Sequence, residues 1–166
     1  HEELGAGYRY LVLEAPKMAA ELQPGQFVHV RVPALETSAL RRPFSVFDAE
    51  DGKVTVLYKT VGRGTAALNA VKAGDEINVL GPLGHGFPLK CDGVPLLVGG
   101  GYGVAPLHFL AKRLNSNTLN LKTQTLPKLF IGGRTAADLL ALDKFKALGV
   151  EVVTATTDGA AGGKGW

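Results

Sequence analysis

The residues of this chain that could do chemistry lie in four short segments, two of which offer polar side chains. Arg42, Pro43, Phe44 and Ser45 stand together and supply a guanidinium fork suited to a pyrophosphate, an aromatic ring and a hydroxyl. Residues 58–65 (YKTVGRGT) combine two glycines, an arginine and a threonine, which is the composition of a candidate anion site. In isolation the first segment fits a surface arginine beside a core phenylalanine better than it fits a ligand site.

The other two segments are rich in glycine. Residues 81–87 (GPLGHGF) indicate either a tight crossover or the close approach of a ligand. Residues 95–106 (PLLVGGGYGVAP) form a buried strand, a glycine cluster and a helix-starting proline, so backbone N–H groups would face a phosphate. The GxGxxG dinucleotide pattern fails at Pro106. A tight strand-to-helix turn remains the alternative, because glycine serves both purposes.

No comparable segment offers residues for acid–base catalysis or for metal binding. The four histidines show no Ser/His/Asp pattern or metal-ligand spacing, and Cys91 is the only cysteine. We therefore predict no catalytic side chain and no metal ligand. A lone thiol also excludes an internal disulfide and an all-cysteine cluster, and it fits a reducing compartment.

Composition narrows the class of partner. The chain has 166 residues and a net charge of +3, with its basic residues scattered, so we predict no nucleic-acid surface. Its longest apolar run, residues 94–111, is broken by four glycines and contains His108, so we predict no membrane span.

Two rhythms along the chain predict two domains. Up to about Leu89, short alternating runs are separated by turn residues, which predicts a small closed barrel of five or six antiparallel strands. Thr65 is expected to cap a helix over residues 66–71. The five predicted strands are residues 10–13, 27–32, 44–47, 54–58 and 77–80.

After Pro95 the pattern changes to alternating strands and helices, which predicts a parallel sheet. We expect strands over residues 95–98, 129–131 and 150–154, helices over 106–114 and 136–148, and a loop over 115–127. Three strands make a thin sheet, and we expect the chain to be a fragment.

Taken together and in order, these blocks resemble the ferredoxin-reductase-like flavoproteins, and most nearly the electron-transfer subunits of class B dihydroorotate dehydrogenases. The matching blocks are LRRPFSVFD, YKTVGRGTAAL, GPLGHGFPL, LLVGGGYGVAPL and GGRTAADLLALDKFKALGVEVVTATTDG. The resemblance implies a six-stranded Greek-key FAD-binding barrel over residues 1–92. It also implies a parallel-sheet NAD-binding domain over 93–166, incomplete at its C-terminal end.

The resemblance also assigns residues. It places Arg42 at the flavin pyrophosphate and Ser45 near the flavin ring, with Pro43 and Phe44 in the same block. Lys59, Thr60 and Val61 would line the flavin strand, and Gly64 and Thr65 would meet the pyrophosphate. The NAD phosphates would face the glycine cluster, namely Gly99, Gly100, Gly101 and Gly103. Tyr102 and Ala160 depart from the family pattern, in which a smaller aliphatic residue and a serine are common.

The implied function is electron transfer between NAD and the FMN of a separate dihydroorotate dehydrogenase catalytic subunit, through FAD, in cytoplasmic pyrimidine (UMP) biosynthesis. Family members form hetero-oligomers, expected to be heterotetramers, and carry a [2Fe-2S] cluster on a cysteine-rich segment that this chain lacks. Two alternatives stay open: the flavin subunit of an NADH-ferredoxin or sulfide reductase, and a flavin-binding module without turnover.

Overall fold

A computed structural model describes residues 1–32, 40–90, 92–120 and 126–164. The chain divides into two compact units, His1–Gly86 and Phe87–Trp166. This division falls a few residues before the sequence-based boundary. The assignment of 1–92 to a flavin and 93–166 to a nicotinamide nucleotide stays a prediction.

The first unit is a single antiparallel sheet with two short helices. Its strands lie in the order β1-β2-β5-β4-β3-β6. The helices are α1 (Pro16–Glu21) and α2 (Arg63–Leu68), and the strands are β1 (Glu2–Gly5), β2 (Tyr8–Glu14), β3 (Phe27–Arg31), β4 (Arg42–Glu50), β5 (Lys53–Lys59) and β6 (Asn78–Leu83).

The connectivity of this sheet is a Greek key. Strands β3, β4 and β5 are successive neighbours, and β6 returns to pair with β3 on its far side. This order confirms the predicted six-stranded antiparallel fold class. The alternation did not predict β1, which is short and charged and pairs with β2 through Glu2 and Glu3.

The core of the first unit comes from the alternation itself. In β5, Val54 and Val56 are fully buried, and Tyr58 is buried in the same row. Tyr10 of β2 packs on Phe47 of β4 with ring centroids 4.7 Å apart. Burying a side chain of this size stabilises the fold by about 1.5–3 kcal/mol.

The second unit is a parallel sheet of four strands in the order β10-β9-β8-β7. Two helices connect them, α3 (Ala105–Asn120) and α4 (Leu142–Ala147), together with 3-10 turns at Gly101–Val104 and Ala136–Asp138. The strands are β7 (Leu96–Gly100), β8 (Lys128–Gly133), β9 (Glu151–Thr156) and β10 (Gly163–Lys164). The parallel sheet is confirmed, but the expectation of three strands was wrong, because β10 pairs with the end of β9.

Two of the predicted helices have different bounds. Residues 115–120, expected in a loop, continue α3, and two polar side chains at the start of this extension are hydrogen-bonded. Asn115 donates from Nδ2 to the Leu148 carbonyl at 2.7 Å, and Ser116 donates to the Lys112 carbonyl at 2.9 Å. Residues 121–125 of that predicted loop lie outside the described residues. The single helix over 136–148 is instead a 3-10 turn and α4, separated where Ala141 adopts a φ of +58°.

Both helices of the second unit cover the same face of its sheet. His108 of α3 and Phe145 of α4 meet edge to face with centroids 5.4 Å apart, and Leu129 and Ile131 of β8 are buried. The opposite face leaves Val98 73% exposed. No helix of the described residues is long and apolar enough to cross a membrane.

Candidate functional site

Strand β4 changes partner halfway along its length. From Arg42 to Ser45 it pairs with β3, and its ladder with β5 begins at Val46 opposite Val56. Strand β5 continues past that point and pairs with β2 as far as Lys59. The start of β4 and the end of β5 therefore form a fork, and the two polar segments found in the sequence are its two arms.

Arg42 crosses from one arm of this fork to helix α2. A Cβ built on Gly64 would lie 2.8 Å from the Arg42 Nε and 3.6 Å from its Cδ. The guanidinium also donates from Nη1 to the Leu40 carbonyl at 3.1 Å. The structure thus brings two predicted contacts together, and a side chain on Gly64 would require the Arg42 side chain to move.

The other three residues of the first segment point in two directions. Phe44 is 8% exposed and meets Tyr58 edge to face with centroids 5.8 Å apart, which leaves little of its ring for a ligand. This favours the alternative of a core phenylalanine. Pro43 is exposed opposite His29 on β3, and Ser45 is half-buried. Their proposed contacts with a flavin stay predictions.

The other arm presents three consecutive predicted residues. Lys59 places its Nζ 4.2 Å from the centroid of the Tyr8 ring, a cation–π contact. The Thr60 N–H donates to the Gly7 carbonyl at 2.8 Å. Val61 is 72% exposed, so its apolar side chain is available to a ligand.

Thr65 does not cap a helix over residues 66–71 as predicted. Helix α2 begins at Arg63, and Thr65 is its third residue. The Thr65 hydroxyl instead accepts the N–H groups of Val61 at 2.9 Å and Gly62 at 3.2 Å. The prediction was wrong because the hydroxyl reaches back to the loop before the helix, which moves the start of the helix earlier.

A hydrogen-bonded group at this arm was missed by the sequence analysis. The Tyr58 hydroxyl donates to the Asn69 Oδ1 at 2.8 Å, and the Asn69 Nδ2 donates to the Thr60 Oγ1 at 3.1 Å. The same tyrosine hydroxyl lies 3.1 Å from the His1 Nδ1. Burial raises the pKa of Tyr58, and the Arg9 charge offsets part of that rise. An asparagine at the end of a short helix gave no distinctive signal.

The glycines of residues 81–86 are explained by packing within the first unit. A Cβ on Gly84 would lie 3.0 Å from the Phe27 Cε1, and one on Gly86 would lie 2.8 Å from the Gln23 Oε1. The Gly84 carbonyl also accepts the Gln26 Nε2 at 3.1 Å. Of the two readings left open for this segment, these contacts favour a tight crossover.

The glycines at the end of β7 and just after it have different structural explanations. A Cβ on Gly99 would lie 2.9 Å from the Leu107 Cδ1, and one on Gly100 would lie 3.0 Å from the Gly132 carbonyl oxygen. Gly101 adopts a φ of +51°, which favours glycine. Gly103 has open space, with nothing within 4 Å of a Cβ. Packing therefore accounts for Gly99 and Gly100 but not for Gly103.

The two positions that depart from the family pattern lie on the second unit. Tyr102 is 56% exposed in the 3-10 turn between β7 and α3. The Ala160 N–H donates to the Asp158 Oδ1 at 3.0 Å, within the turn that follows β9. Cys91 lies outside the described residues, among which no group of three or more His, Cys, Asp or Glu side chains is placed to hold a metal.

Comparisons with known proteins agree on the type of fold. Residues 1–87 match the family model described as an oxidoreductase FAD-binding domain. A dihydroorotate dehydrogenase B (NAD(+)) electron transfer subunit of Shouchella clausii is 44% identical over 161 residues, which are 94% of this chain and 60% of the relative. The corresponding protein of Geobacillus kaustophilus is 43% identical over 148 residues, 86% of this chain and 55% of the relative.

Solved structures show the same similarity. The structure of an NADH-dependent reduced ferredoxin-NADP oxidoreductase aligns with a TM-score of 0.82 at 32% identity and covers 98% of this chain and 56% of that one. The ferredoxin reductase in carbazole 1,9a-dioxygenase aligns with a TM-score of 0.78 at 26% identity, over 98% of this chain and 50% of that one. The chain thus spans less than two thirds of the length of these relatives.

Proposed function

Because the chain belongs to the family of oxidoreductase FAD-binding domains, we propose that it is the nucleotide-binding part of an electron-transfer subunit of an NAD-dependent dihydroorotate dehydrogenase. The observation that carries the proposal is the position of Arg42 against Gly64, which unites the two segments assigned to a flavin pyrophosphate. Identity above 40% to the two relatives supports the choice of enzyme.

The fork at the start of β4 would hold the FAD. Arg42 offers a planar set of donors to the pyrophosphate, and Gly64 and Thr65 offer backbone close to it. Ser45 would lie near the flavin ring, while Lys59, Thr60 and Val61 line the strand beside it. Pro43 and Phe44 would shape the first arm, Phe44 from within the core. FAD, when bound, supplies the conversion between a two-electron hydride and single electrons.

These residues fit a flavin better than they fit a hydrolytic centre. A cofactor of this kind needs positioning and polarity from the protein rather than an acid–base pair. The fork provides polarity through the Arg42 cation on one arm. The exposed Val61 on the other arm offers an apolar contact that helps to position the cofactor. Electron transfer through a flavin at this fork would therefore need no catalytic side chain from the described residues.

The second unit would take NAD(H) as an exchangeable substrate. Ligands of parallel sheets bind at the carboxyl ends of the strands, which is where Gly99 and Gly100 end β7 and Gly101 and Gly103 follow it. The open space at Gly103 supports the approach of a phosphate to the backbone. We propose this role for residues 93–166 as a domain.

The partner would be a catalytic subunit that contains FMN and oxidises dihydroorotate to orotate, in a heterotetramer in the cytoplasm. That oxidation yields two electrons and two protons, of which NAD⁺ accepts both electrons and one proton. A [2Fe-2S] cluster between the two flavins would need ligands from outside these 166 residues, since Cys91 is the only cysteine.

A second candidate is the flavin subunit of an NADH-ferredoxin reductase. The observation that favours it is the solved NADH-dependent reduced ferredoxin-NADP oxidoreductase, at 32% identity and a TM-score of 0.82. A sulfide reductase subunit and a flavin-binding module without turnover are related alternatives.

Co-purification from the source organism separates these candidates. The first predicts that a tagged native protein brings down an FMN-containing chain, and that the complex reduces NAD⁺ when dihydroorotate is added. Recovery of a complex that reduces ferredoxin or polysulfide with NADH, and is inert to dihydroorotate, would contradict the first candidate.

A further inference from the structure

Asn69 is the point at which three parts of the first unit are tied together. Its Oδ1 accepts the Tyr58 hydroxyl at 2.8 Å, and its Nδ2 donates to the Thr60 Oγ1 at 3.1 Å. Its own backbone N–H donates to the Ala66 carbonyl at the end of α2, at 3.2 Å. One carboxamide therefore joins the interior of β5, the residue just after β5, and helix α2.

These ties matter because α2 cannot hold its own position. It has six residues, and an isolated helix of that length is unstable in water. At its first turn α2 presents Gly64 to the Arg42 side chain, and at its end Asn69 anchors it to β5. The loop between β5 and α2 is closed by the Thr65 hydroxyl, which accepts hydrogen bonds from the Val61 and Gly62 N–H groups.

We infer that Asn69 is a positioning residue for the flavin site, which fixes helix α2 so that Gly64 and Thr65 meet Arg42 at the pyrophosphate. The inference rests on the proposed function. Asn69 acts through Thr60 and the helix, so its loss lowers the affinity for FAD by loosening the arm rather than by removing a contact.

The chemistry of the carboxamide explains why asparagine suits the position. Tyr58 supplies a donor, and Thr60 offers an acceptor, so the site needs an acceptor and a donor on one short side chain. Leucine has a similar shape and neither function. Asn69→Leu thus removes both ties and keeps the volume.

The test compares Asn69→Leu with Asp75→Ala in the chain itself, by fluorescence titration with FAD and by thermal unfolding without FAD. Asp75 accepts the Lys72 N–H at 2.8 Å in the next turn, which carries no predicted flavin contact. We expect Asn69→Leu to raise the Kd for FAD about tenfold, as the loss of these hydrogen bonds implies, and Asp75→Ala to leave it within about twofold.

A double variant tests whether Asn69 and Tyr58 affect the Kd for FAD through the same hydrogen bond. Tyr58→Phe breaks one of the same ties, so combining it with Asn69→Leu should raise the Kd for FAD no further than Asn69→Leu alone. If Asn69→Leu fails to fold, Tyr58→Phe alone removes only the first tie, at a residue with no predicted flavin contact, and should raise the Kd about threefold.

The outcomes separate the two claims. Equal Kd values for FAD in Asn69→Leu and Asp75→Ala, or additive effects of Asn69→Leu and Tyr58→Phe, would overturn the positioning role and leave the proposed function standing. Where Tyr58→Phe alone is the variant used, an unchanged Kd has the same meaning. A wild-type chain that binds no FAD would overturn both.

Discussion

The Arg42 side chain occupies the space that a side chain on Gly64 would need, with its Nε 2.8 Å from the position of the missing Cβ. These residues come from different motifs and meet only because β4 leaves β5 at Val46 and α2 folds back toward the opening. Neither motif is specific alone, but their contact defines one site. The predictions that follow test that site and its counterpart on the second unit.

Gly64→Ala should weaken FAD binding by displacing Arg42. Because the added methyl would lie against the guanidinium, we expect the Kd for FAD to rise about tenfold, the loss of one charge-assisted contact. Gly62→Ala is the matched control, since its φ of −169° is extended and nothing lies within 4 Å of its Cβ. Equal affinities of the two variants for FAD, measured by equilibrium dialysis, would contradict the role of Arg42.

Arg42→Lys should fail to replace the arginine. A lysine ammonium keeps the charge but cannot present two parallel donors to a pyrophosphate, so we expect the Kd for FAD to rise at least about tenfold. The neighbouring Arg41, whose Nη1 donates to the Asn78 carbonyl at 3.2 Å, provides the control Arg41→Lys. Wild-type affinity in Arg42→Lys would show that only charge matters there.

Gly103→Ala and Gly99→Ala should separate nucleotide binding from stability. At Gly103 a methyl meets open space, so the unfolding free energy should stay within about 0.5 kcal/mol while the affinity for NADH falls. At Gly99 a methyl would press on the Leu107 Cδ1, which should cost about 1–3 kcal/mol of unfolding free energy. Urea unfolding and NADH titration measure both effects; unchanged NADH binding in Gly103→Ala would remove that glycine from the site.

Stability should fall at high pH in part through Tyr58. Burial raises the pKa of Tyr58 above the usual 10.0, so above pH 10 the unfolded chain loses this proton while the folded chain keeps it. This contribution is complete below pH 10 and is lost as the pH rises toward the folded value. The urea midpoint of Tyr58→Phe should therefore decline less between pH 9 and 11 than that of the wild type. Parallel declines would indicate that Tyr58 has the same pKa in both states.

Five of the six strands of the first unit were predictable because their physical signal is local. Alternation in β5 follows from one buried row, Val54, Val56 and Tyr58, beside the half-buried Thr55 and Lys59. The start of α2 and the continuation of α3 through Asn115 were not predictable. Each depends on a side chain whose hydrogen-bond partner lies outside the helix itself. Asn115, for example, reaches the carbonyl of Leu148, which no local pattern reveals.

The site was predictable in its residues but not in its geometry. The order of the motifs and their resemblance to a known family identified Arg42, Gly64 and Thr65 as site residues. The contact between Arg42 and Gly64 was not predictable, because it forms only in the tertiary structure. Asn69 was missed for the same reason, because it meets Tyr58 of β5 and Thr60 just after β5 only when α2 folds onto the sheet.

The most direct test of the central claim is reconstitution of the wild-type chain with FAD, followed by its visible absorption spectrum after removal of free flavin. The proposed function predicts that the chain retains a single FAD and that the flavin band bleaches when NADH is added without oxygen. A chain that is folded by circular dichroism but retains no FAD would contradict it.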